Sequence, residues 1–419
     1  MPKNSTLNTR PARTGRPARA VWLLGPALVA GVAYLDPGNV ASNMTAGAQY
    51  GYLLVWVVVV GNVMAWLIQY LSAKLGVVTG RSLPEILGSR LRRPWARRAY
   101  WFQAELVAMA TDLAEIIGGA VALNLLFGIP LLPGGIITGA VSMVMLAVHS
   151  RRGPRPFEFV IIGLMAVITI GFLAGVVIAP PDPGALAGGL LPRFEDSGSV
   201  LLAASILGAT IMPHAIYAHS SLARDRFGSG ERADAETRTL LRATRWDVSI
   251  AMVVAGSVNL GILLLAAANL AGVEGTDSLE GAYAALEAGL GTIIATLFAV
   301  GLLASGLAST SVGAYAGAEI MHGLLHVRVP LLARRLVTLI PALIILGAGI
   351  DPTLALVLSQ VALSFGIPFA LIPLVALTAQ RRTLGTWTNR VGTTVAGVVA
   401  SVLLIALNGA LLWMVLTGA

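Results

Sequence analysis

The sequence predicts an all-α protein that crosses a membrane about eleven times. Apolar residues make up 56% of the chain, charged residues only 11%, and the mean hydropathy is +0.82. Soluble domains carry about 25% charged residues, so this chain lacks the polar surface that water requires. Its charges are clustered, and apolar stretches of about 20 residues, the length that spans a bilayer, separate the clusters.

These apolar stretches define the expected spans. They are 21–47, 51–78, 99–127, 131–149, 157–180, 199–222, 246–271, 289–323, 329–349, 352–378 and 391–417. An odd number of spans puts the two termini on opposite sides of the membrane. The chain has no cysteine, which excludes disulfides and thiolate metal sites.

Basic residues are distributed very unequally between the two sets of connections. The set that begins with the N-terminal tail 1–20 holds nearly all of them, including Arg381, Arg382 and Arg390, whereas the opposite set holds only Arg193. Cytoplasmic connections carry the excess of Lys and Arg. We therefore expect a cytoplasmic N-terminus and an external C-terminus in the cytoplasmic membrane. The net charge of +8 reflects this topology and does not indicate a nucleic-acid partner.

Two spans are interrupted in their middles, the first by Asp36-Pro-Gly-Asn39 and the sixth by Met212-Pro-His214. Proline breaks a helix, and broken backbone survives in a bilayer only inside protein or beside a cavity. Interruptions at matching positions of two inverted halves mark the central site of a transporter, although each one alone could be an ordinary proline kink. The expected organisation is a basic tail 1–20, a five-helix repeat 21–180, an inverted repeat 199–378 and an eleventh helix 391–417.

The residues beside the two breaks have the chemistry of a divalent-cation site. Asp36 offers a carboxylate, Asn39 an amide oxygen and Met212 a thioether. Unwound backbone near Ala33 and Ala209 leaves carbonyls without helical partners. Mg²⁺ and Ca²⁺ prefer hard oxygen ligands, whereas a thioether suits softer first-row metal ions. The pattern favours softer first-row divalent ions over Mg²⁺ and Ca²⁺, although Met212 taken alone could be core filler.

Three acids on the third span form a line that leads toward the cytoplasm. Glu105, Asp112 and Glu115 are spaced by seven and three residues, which places them on one helix face. His214, whose side chain titrates near neutral pH, lies beside the sixth-span break. Carboxylates and a histidine in this arrangement are typical of a proton relay, but a buried ion pair and a histidine that only caps the broken helix remain alternatives. The candidate cationic partners are Arg334 and Arg335.

These motifs, together with Leu358-Ser-Gln360 in the tenth span, resemble those of the Nramp (natural-resistance-associated macrophage protein) family of proton-coupled metal transporters. The resemblance covers nearly the whole chain. It implies a LeuT-like fold of two inverted five-helix repeats with helices 1 and 6 broken, plus one extra helix, and it links the third-span acids to proton movement. The implied ion ligands are Asp36, Asn39, Met212, the carbonyls of Ala33 and Ala209, and Gln360 once the site closes.

The predicted function is proton-coupled import of Mn²⁺, Fe²⁺ and similar ions such as Cd²⁺ by alternating access. The metal ion is then a substrate and the proton a co-substrate, with no cofactor, no nucleic acid and no obligate protein partner besides the bilayer. Catalytic motifs such as His-Glu-x-x-His are missing from the sequence, which argues against an enzyme. A cation-coupled symporter of a small organic solute on the same fold is the alternative, although Asp36 would repel a substrate carboxylate.

Overall fold

The structure is a computed structural model that describes residues 25–152, 154–228, 232–327 and 330–417. Within these ranges the chain forms seventeen α-helices and two short 3₁₀ turns, Ala33–Leu35 and Gly385–Trp387. The predicted basic tail 1–20 lies outside the described residues. The helices are α1 Pro26–Val32, α2 Pro37–Tyr50, α3 Val55–Thr79, α4 Leu83–Arg90, α5 Pro94–Phe127, α6 Leu131–Arg152, α7 Pro154–Ile178, α8 Pro183–Gly188, α9 Ser197–Thr210, α10 Pro213–Phe227, α11 Asp234–Asn269, α12 Leu279–Leu290, α13 Thr292–Leu325, α14 Leu331–Gly347, α15 Pro352–Thr378, α16 Arg381–Leu384 and α17 Val391–Thr417.

The predicted all-α membrane class is confirmed. Among the described residues, seven helical segments are long and apolar enough to cross a bilayer, and shorter apolar helices occur at Pro26–Leu35, Leu131–Met145 and Ile162–Ile178. The total of eleven spans stays a prediction. Several boundaries differ from those expected, two of them at the ends of the second half's helices. α11 begins at Asp234, and Gly291 separates α12 from α13 with a φ of +89°, a conformation that favours glycine.

Both predicted interruptions are present. The first follows α1, where a 3₁₀ turn leads to Asp36 in an extended conformation and α2 starts at Pro37. The second follows α9, where Met212 is extended and α10 starts at Pro213. Each proline occupies the first position of a new helix, where its missing N–H costs no hydrogen bond. The chain therefore restarts a helix after each break and does not merely kink.

The broken segments lie in the centre of the helix bundle. α2 packs against α9, α11 and α15, and α10 packs against α3 and α13. α17 is peripheral, since its apolar stretch is 33% buried, against 56% or more in the other six long segments. It is attached to α15 through Asn408, which donates to the Ser364 carbonyl at 2.9 Å and accepts a hydrogen bond from the Ser364 hydroxyl.

Close packing of α9 on α15 depends on Gly208. A Cβ built there would lie 1.9 Å from the backbone carbonyl oxygen of Gln360, which cannot yield as a side chain could. We expect Gly208→Ala to destabilise the protein by about 1–3 kcal/mol, the usual cost of overpacking. A thermal unfolding series in detergent measures the effect.

The matched control is Gly163→Ala on α7. That glycine is also helical, but nothing lies within 4 Å of its Cβ position. Alanine there should be neutral or stabilising by up to about 1 kcal/mol, because it favours the helix. Equal unfolding temperatures for the two variants would show that α9 and α15 can separate at no cost.

Candidate metal site

The carboxylate of Asp36 sits between the two breaks and is fully buried. Its Oδ1 accepts a hydrogen bond from the Asn39 backbone N–H at 2.8 Å, which caps the N-terminus of α2. Its Oδ2 accepts from Nε2 of Gln360 on α15 at 3.2 Å. The cap holds the carboxylate in place. The second hydrogen bond shows that Gln360, a predicted site residue, lies directly against Asp36.

Asn39 connects the two breaks. Its side-chain Nδ2 donates to the carbonyl oxygen of Tyr34 at 2.6 Å and to that of Ala209 at 3.0 Å. Tyr34 also receives a hydrogen bond from Nδ2 of Asn259 on α11, at 3.0 Å. The carbonyl against Asn39 thus belongs to Tyr34, the residue after the predicted Ala33, which is itself buried.

Met212 and Ala209 complete the second break. Both are fully buried, and Met212 directly precedes α10 as its N-cap residue. The candidate donor set is then one carboxylate, two amides, backbone carbonyls and a thioether. Within the described part of the chain, no group of three or more His, Asp or Glu side chains could hold a metal ion. A donor set with a single charge binds more weakly than structural sites built from several charged ligands, which suits an ion that must leave again.

Gly38 explains why the first motif contains glycine. A Cβ at this position would lie 1.7 Å from Nε2 of Gln360. Any larger side chain would therefore push Gln360 away from Asp36. The glycine allows α15 to approach the break as well as weakening the helix there.

The third-span acids form a buried network with the two predicted arginines. Arg334 pairs with Glu105 at 2.9 Å and with Asp112 at 3.4 Å. Arg335 pairs with Asp112 at 2.6 Å and with Glu115 at 3.1 Å. Asp112 therefore bridges the two guanidinium groups, and the chain of ion pairs continues from Glu105 to Glu115. Buried charges of opposite sign that alternate in this way reduce the desolvation cost that each would bear alone.

Glycines on α13 make room for this network. A Cβ at Gly317 would lie 2.1 Å from the Arg334 guanidinium carbon, and one at Gly313 would lie 3.0 Å from the Glu115 carboxylate. Small residues in membrane helices usually indicate close helix contact. Here they also accommodate charged side chains, a function that the sequence pattern alone did not reveal.

His214 is the second residue of α10 and is almost fully buried. Its Nδ1 is 3.2 Å from the hydroxyl of Thr111, the neighbour of Asp112 on α5. The structure therefore places the histidine between the second break and the acid network. Its role in proton movement stays a prediction.

Three polar groups near the site were missed by the sequence reasoning. Asn259 is the amide within the apolar run of α11 that contacts the Tyr34 carbonyl. A polar side chain inside an apolar span could have been recognised in the sequence as a candidate site residue. Gln69 on α3 donates to the Tyr34 hydroxyl and contacts Nδ1 of His219 at 2.7 Å, which forms a second buried polar cluster beside the first break.

Glu319 belongs to a separate ion-pair cluster on α4, α10 and α13. Arg224 contacts Glu85 at 2.8 Å and Glu319 at 2.9 Å. Burial raises the pKa of Glu85, but the hydrogen bond from Ser82 and the contact with Arg224 outweigh it, so the pKa lies below its usual range. The cluster ties the short helix α4 to two long helices.

Known proteins match this chain over nearly its full length. Residues 27–414 match the family model described as natural resistance-associated macrophage protein-like, or Nramp. The divalent metal cation transporter MntH of Mycobacterium tuberculosis is 60% identical over 397 residues, which are 95% of this chain and 92% of that protein. MntH of Deinococcus radiodurans is 47% identical over 404 residues, with 96% and 91% covered. A crystal structure of the Eremococcus coleocola manganese transporter, in complex with an aromatic bis-isothiourea compound, aligns with a TM-score of 0.83 at 31% identity and covers 96% of this chain and 88% of that one.

Proposed function

The chain belongs to the Nramp family, and from that premise we propose that it imports Mn²⁺ and Fe²⁺ together with protons across the cytoplasmic membrane. It is a multi-pass transporter of divalent metal cations and not an enzyme. Beyond transport of divalent metal cations, the proposal names the ions, includes coupling to protons, and places the N-terminus inside the cell and the C-terminus outside. The proposed organisation is two inverted five-helix repeats, 21–180 and 199–378.

The observation that carries the proposal is the single buried carboxylate between two broken helices. Among the described residues, no positively charged side chain hydrogen-bonds Asp36, which accepts from the Asn39 backbone and from Gln360. In a low-dielectric interior a lone carboxylate attracts a divalent cation strongly. The carbonyls of Tyr34 and Ala209 converge on Asn39 nearby and supply neutral oxygen ligands.

Proton coupling is proposed from the spatial separation of the acid network. Glu105, Asp112 and Glu115 contact Arg334 and Arg335, and in the part of the chain that the structure describes no hydrogen bond joins these acids to Asp36, Asn39, Met212 or Gln360. We infer that the metal ion passes through the site at the two breaks and that the proton passes along the separate acid network. Ionisable side chains inside membrane helices usually mark such paths.

The organic-solute alternative is disfavoured by the same geometry. Asp36 would repel a substrate carboxylate. The site residues also contact one another directly, with Gln360 at 3.2 Å from Asp36 and Asn39 at 3.0 Å from the Ala209 carbonyl. Such spacing fits a single ion better than the body of an amino acid or a nucleobase.

Uptake by purified protein in liposomes tests the proposal. Mn²⁺, Fe²⁺, Cd²⁺, Mg²⁺ and Ca²⁺ are compared with and without an imposed pH gradient, and acidification of the lumen is recorded in parallel. We expect Mn²⁺, Fe²⁺ and Cd²⁺ to enter with protons and Mg²⁺ and Ca²⁺ to be excluded. Uptake that ignores the pH gradient would refute the coupling, and transport of an organic cation or amino acid instead would refute the cargo.

Met212 should act as a selectivity filter more than as a source of affinity. Its thioether is neutral and coordinates Mg²⁺ and Ca²⁺ poorly compared with oxygen. We expect Met212→Ala to retain measurable Mn²⁺ transport, because water can fill the vacated ligand position. Ca²⁺ and Mg²⁺ should then compete better, and Cd²⁺, the softest of the test ions, should lose the most affinity.

The deciding assay is Mn²⁺ uptake at rising Ca²⁺ and Mg²⁺, with wild type and Met212→Ala side by side. The matched control is Met252→Ala on α11, since Met252 is also buried but does not lie at a break. Competition curves and Cd²⁺ affinities that coincide for wild type and both variants would mean that Met212 is only core packing.

A further inference from the structure

A chain of side-chain amides leads from the candidate site into α2. Asn43 donates from Nδ2 to the side-chain oxygen of Asn39 at 3.0 Å and to its backbone carbonyl at 2.9 Å. Asn39 in turn donates from its own Nδ2 to the carbonyls of Tyr34 and Ala209. All four residues are buried. Each amide therefore donates toward the breaks, and the chain of hydrogen bonds has a direction.

This direction conflicts with cation binding. A metal ligand must present a lone pair, yet Asn39 presents its N–H₂ group to the carbonyls. The assignment of nitrogen and oxygen follows from chemistry, because only a donor can bridge two carbonyl oxygens about 3 Å away. For its oxygen to face an ion beside Ala209, the Asn39 amide must turn by about half a revolution. Its N–H₂ group would then face the N–H₂ group of Asn43, a donor against a donor.

A spare acceptor resolves this conflict. Oδ1 of Asn43 is buried and accepts no hydrogen bond from the described residues. If Asn43 turns together with Asn39, this oxygen can accept the hydrogen bond from the turned Asn39. We propose that Asn43 is a positioning residue, which supports Asn39 in two amide orientations and so lets its oxygen turn to the metal ion. The inference rests on the proposed transport of a divalent metal ion.

Gln360 has the same character on the opposite side of the site. Its Nε2 donates to Asp36, while its Oε1 is buried and accepts no hydrogen bond from the described residues. The N–H₂ groups of Asn39 and Gln360 thus hold oxygens that an ion would use, and the unpaired amide oxygens lie on Asn43 and Gln360. Reversal of the amides exchanges one set of polar contacts for another. A buried site that loses its ion then keeps its polar groups paired, which lowers the cost of releasing the ion.

The decisive substitution is Asn43→Asp. A carboxylate only accepts hydrogen bonds, so it favours the Asn39 orientation that presents oxygen to the ion. We expect the Kd for Mn²⁺ to fall by roughly tenfold, the scale of one hydrogen bond to a charged group. Transport should become slower, because the orientation needed after release is disfavoured.

The added charge at position 43 attracts Mn²⁺ as well, and a double-mutant cycle separates this effect. In an Asn39→Ala background no amide is left to orient, so Asn43→Asp can act there only through its charge. Calorimetric titration of wild type, both single variants and the double variant should show a clearly larger gain in affinity when Asn39 is present. Equal gains in the two backgrounds would overturn the positioning role.

Infrared difference spectroscopy provides a second test if Asn43→Asp does not fold. Mn²⁺ addition to wild type with ¹³C-labelled asparagine should shift two side-chain carbonyl bands, those of Asn39 and Asn43. Asn43→Leu, which keeps the volume, should show one band fewer. Identical difference spectra for wild type and Asn43→Leu would overturn the positioning role of Asn43 without contradicting the proposed metal transport. Failure of wild type to bind Mn²⁺ in the same titration would instead refute the proposed function.

Discussion

Replacement of Asp36 by alanine is expected to abolish Mn²⁺ binding and transport while the protein stays folded. Asp36 is the only formally charged group among the candidate ligands, and its carboxylate is fully buried. A unit charge about 4 Å away contributes about 4 kcal/mol at an effective dielectric constant of 20. Each 1.4 kcal/mol is a factor of ten in affinity, so we expect a loss of about a thousandfold. Calorimetric titration with Mn²⁺ measures it.

Asp351 provides a matched control for the structural part of this effect. It also precedes a proline and caps a helix, since its Oδ1 accepts a hydrogen bond from the backbone N–H of Leu354 at 2.9 Å. It is exposed at the start of α15, far along the helix from Gln360. Both alanine variants lose a helix cap, worth about 1 kcal/mol, but only Asp36→Ala should lose Mn²⁺. Near-normal affinity in Asp36→Ala would overturn the site assignment.

Neutralisation of the buried acids is expected to stop proton movement more than metal binding. Asp112→Asn and Glu115→Gln keep the shape of each side chain but remove a carboxylate that contacts Arg335. His214→Ala removes the ring between the break and this network. We expect proton flux and the pH dependence of Mn²⁺ uptake to be abolished, with Mn²⁺ affinity close to wild type. Lumenal acidification and Mn²⁺ uptake in liposomes are recorded together.

The control for a lost ion pair is Glu319→Gln. Glu319 contacts Arg224 at 2.9 Å, a distance similar to those in the network, but it belongs to the separate cluster on α4, α10 and α13. Its neutralisation should leave proton flux unchanged. Normal, pH-sensitive flux in all of the network variants would mean that Asp112 and Glu115 only hold helices together.

The features that the sequence predicted correctly are those with local causes. Apolar length defines a membrane helix, and Pro37 and Pro213 break helices wherever they occur in a span. The helical spacing of Glu105, Asp112 and Glu115 likewise fixes their common face. These properties depend on neighbours in sequence, so no tertiary information was needed to predict the breaks and the row of acids.

The features that sequence reasoning missed depend on how helices are rotated against one another. The 3₁₀ turn after α1 winds with three residues per turn instead of 3.6, which changes the direction of each carbonyl, and the one against Asn39 is that of Tyr34. Asn259 reaches this carbonyl from α11, which is more than 200 residues away in sequence. The direction of the hydrogen bonds from Asn43 to Asn39 and on to the carbonyls also depends on which backbone carbonyls meet at Asn39. That is a tertiary property, and the pattern of residue types does not predict it.

The attachment of α17 to α15 has a mechanical consequence. Asn408 holds Ser364, which lies one helical turn after Gln360, the residue that contacts Asp36. If α15 moves to admit or enclose an ion, α17 must move with it. α17 exposes more of its apolar surface than any of the other six long segments, so each such movement displaces lipid. A thicker or more viscous bilayer should therefore slow the transport cycle. We expect the turnover rate to depend on the acyl-chain length of the lipid, whereas the affinity for the ion should not.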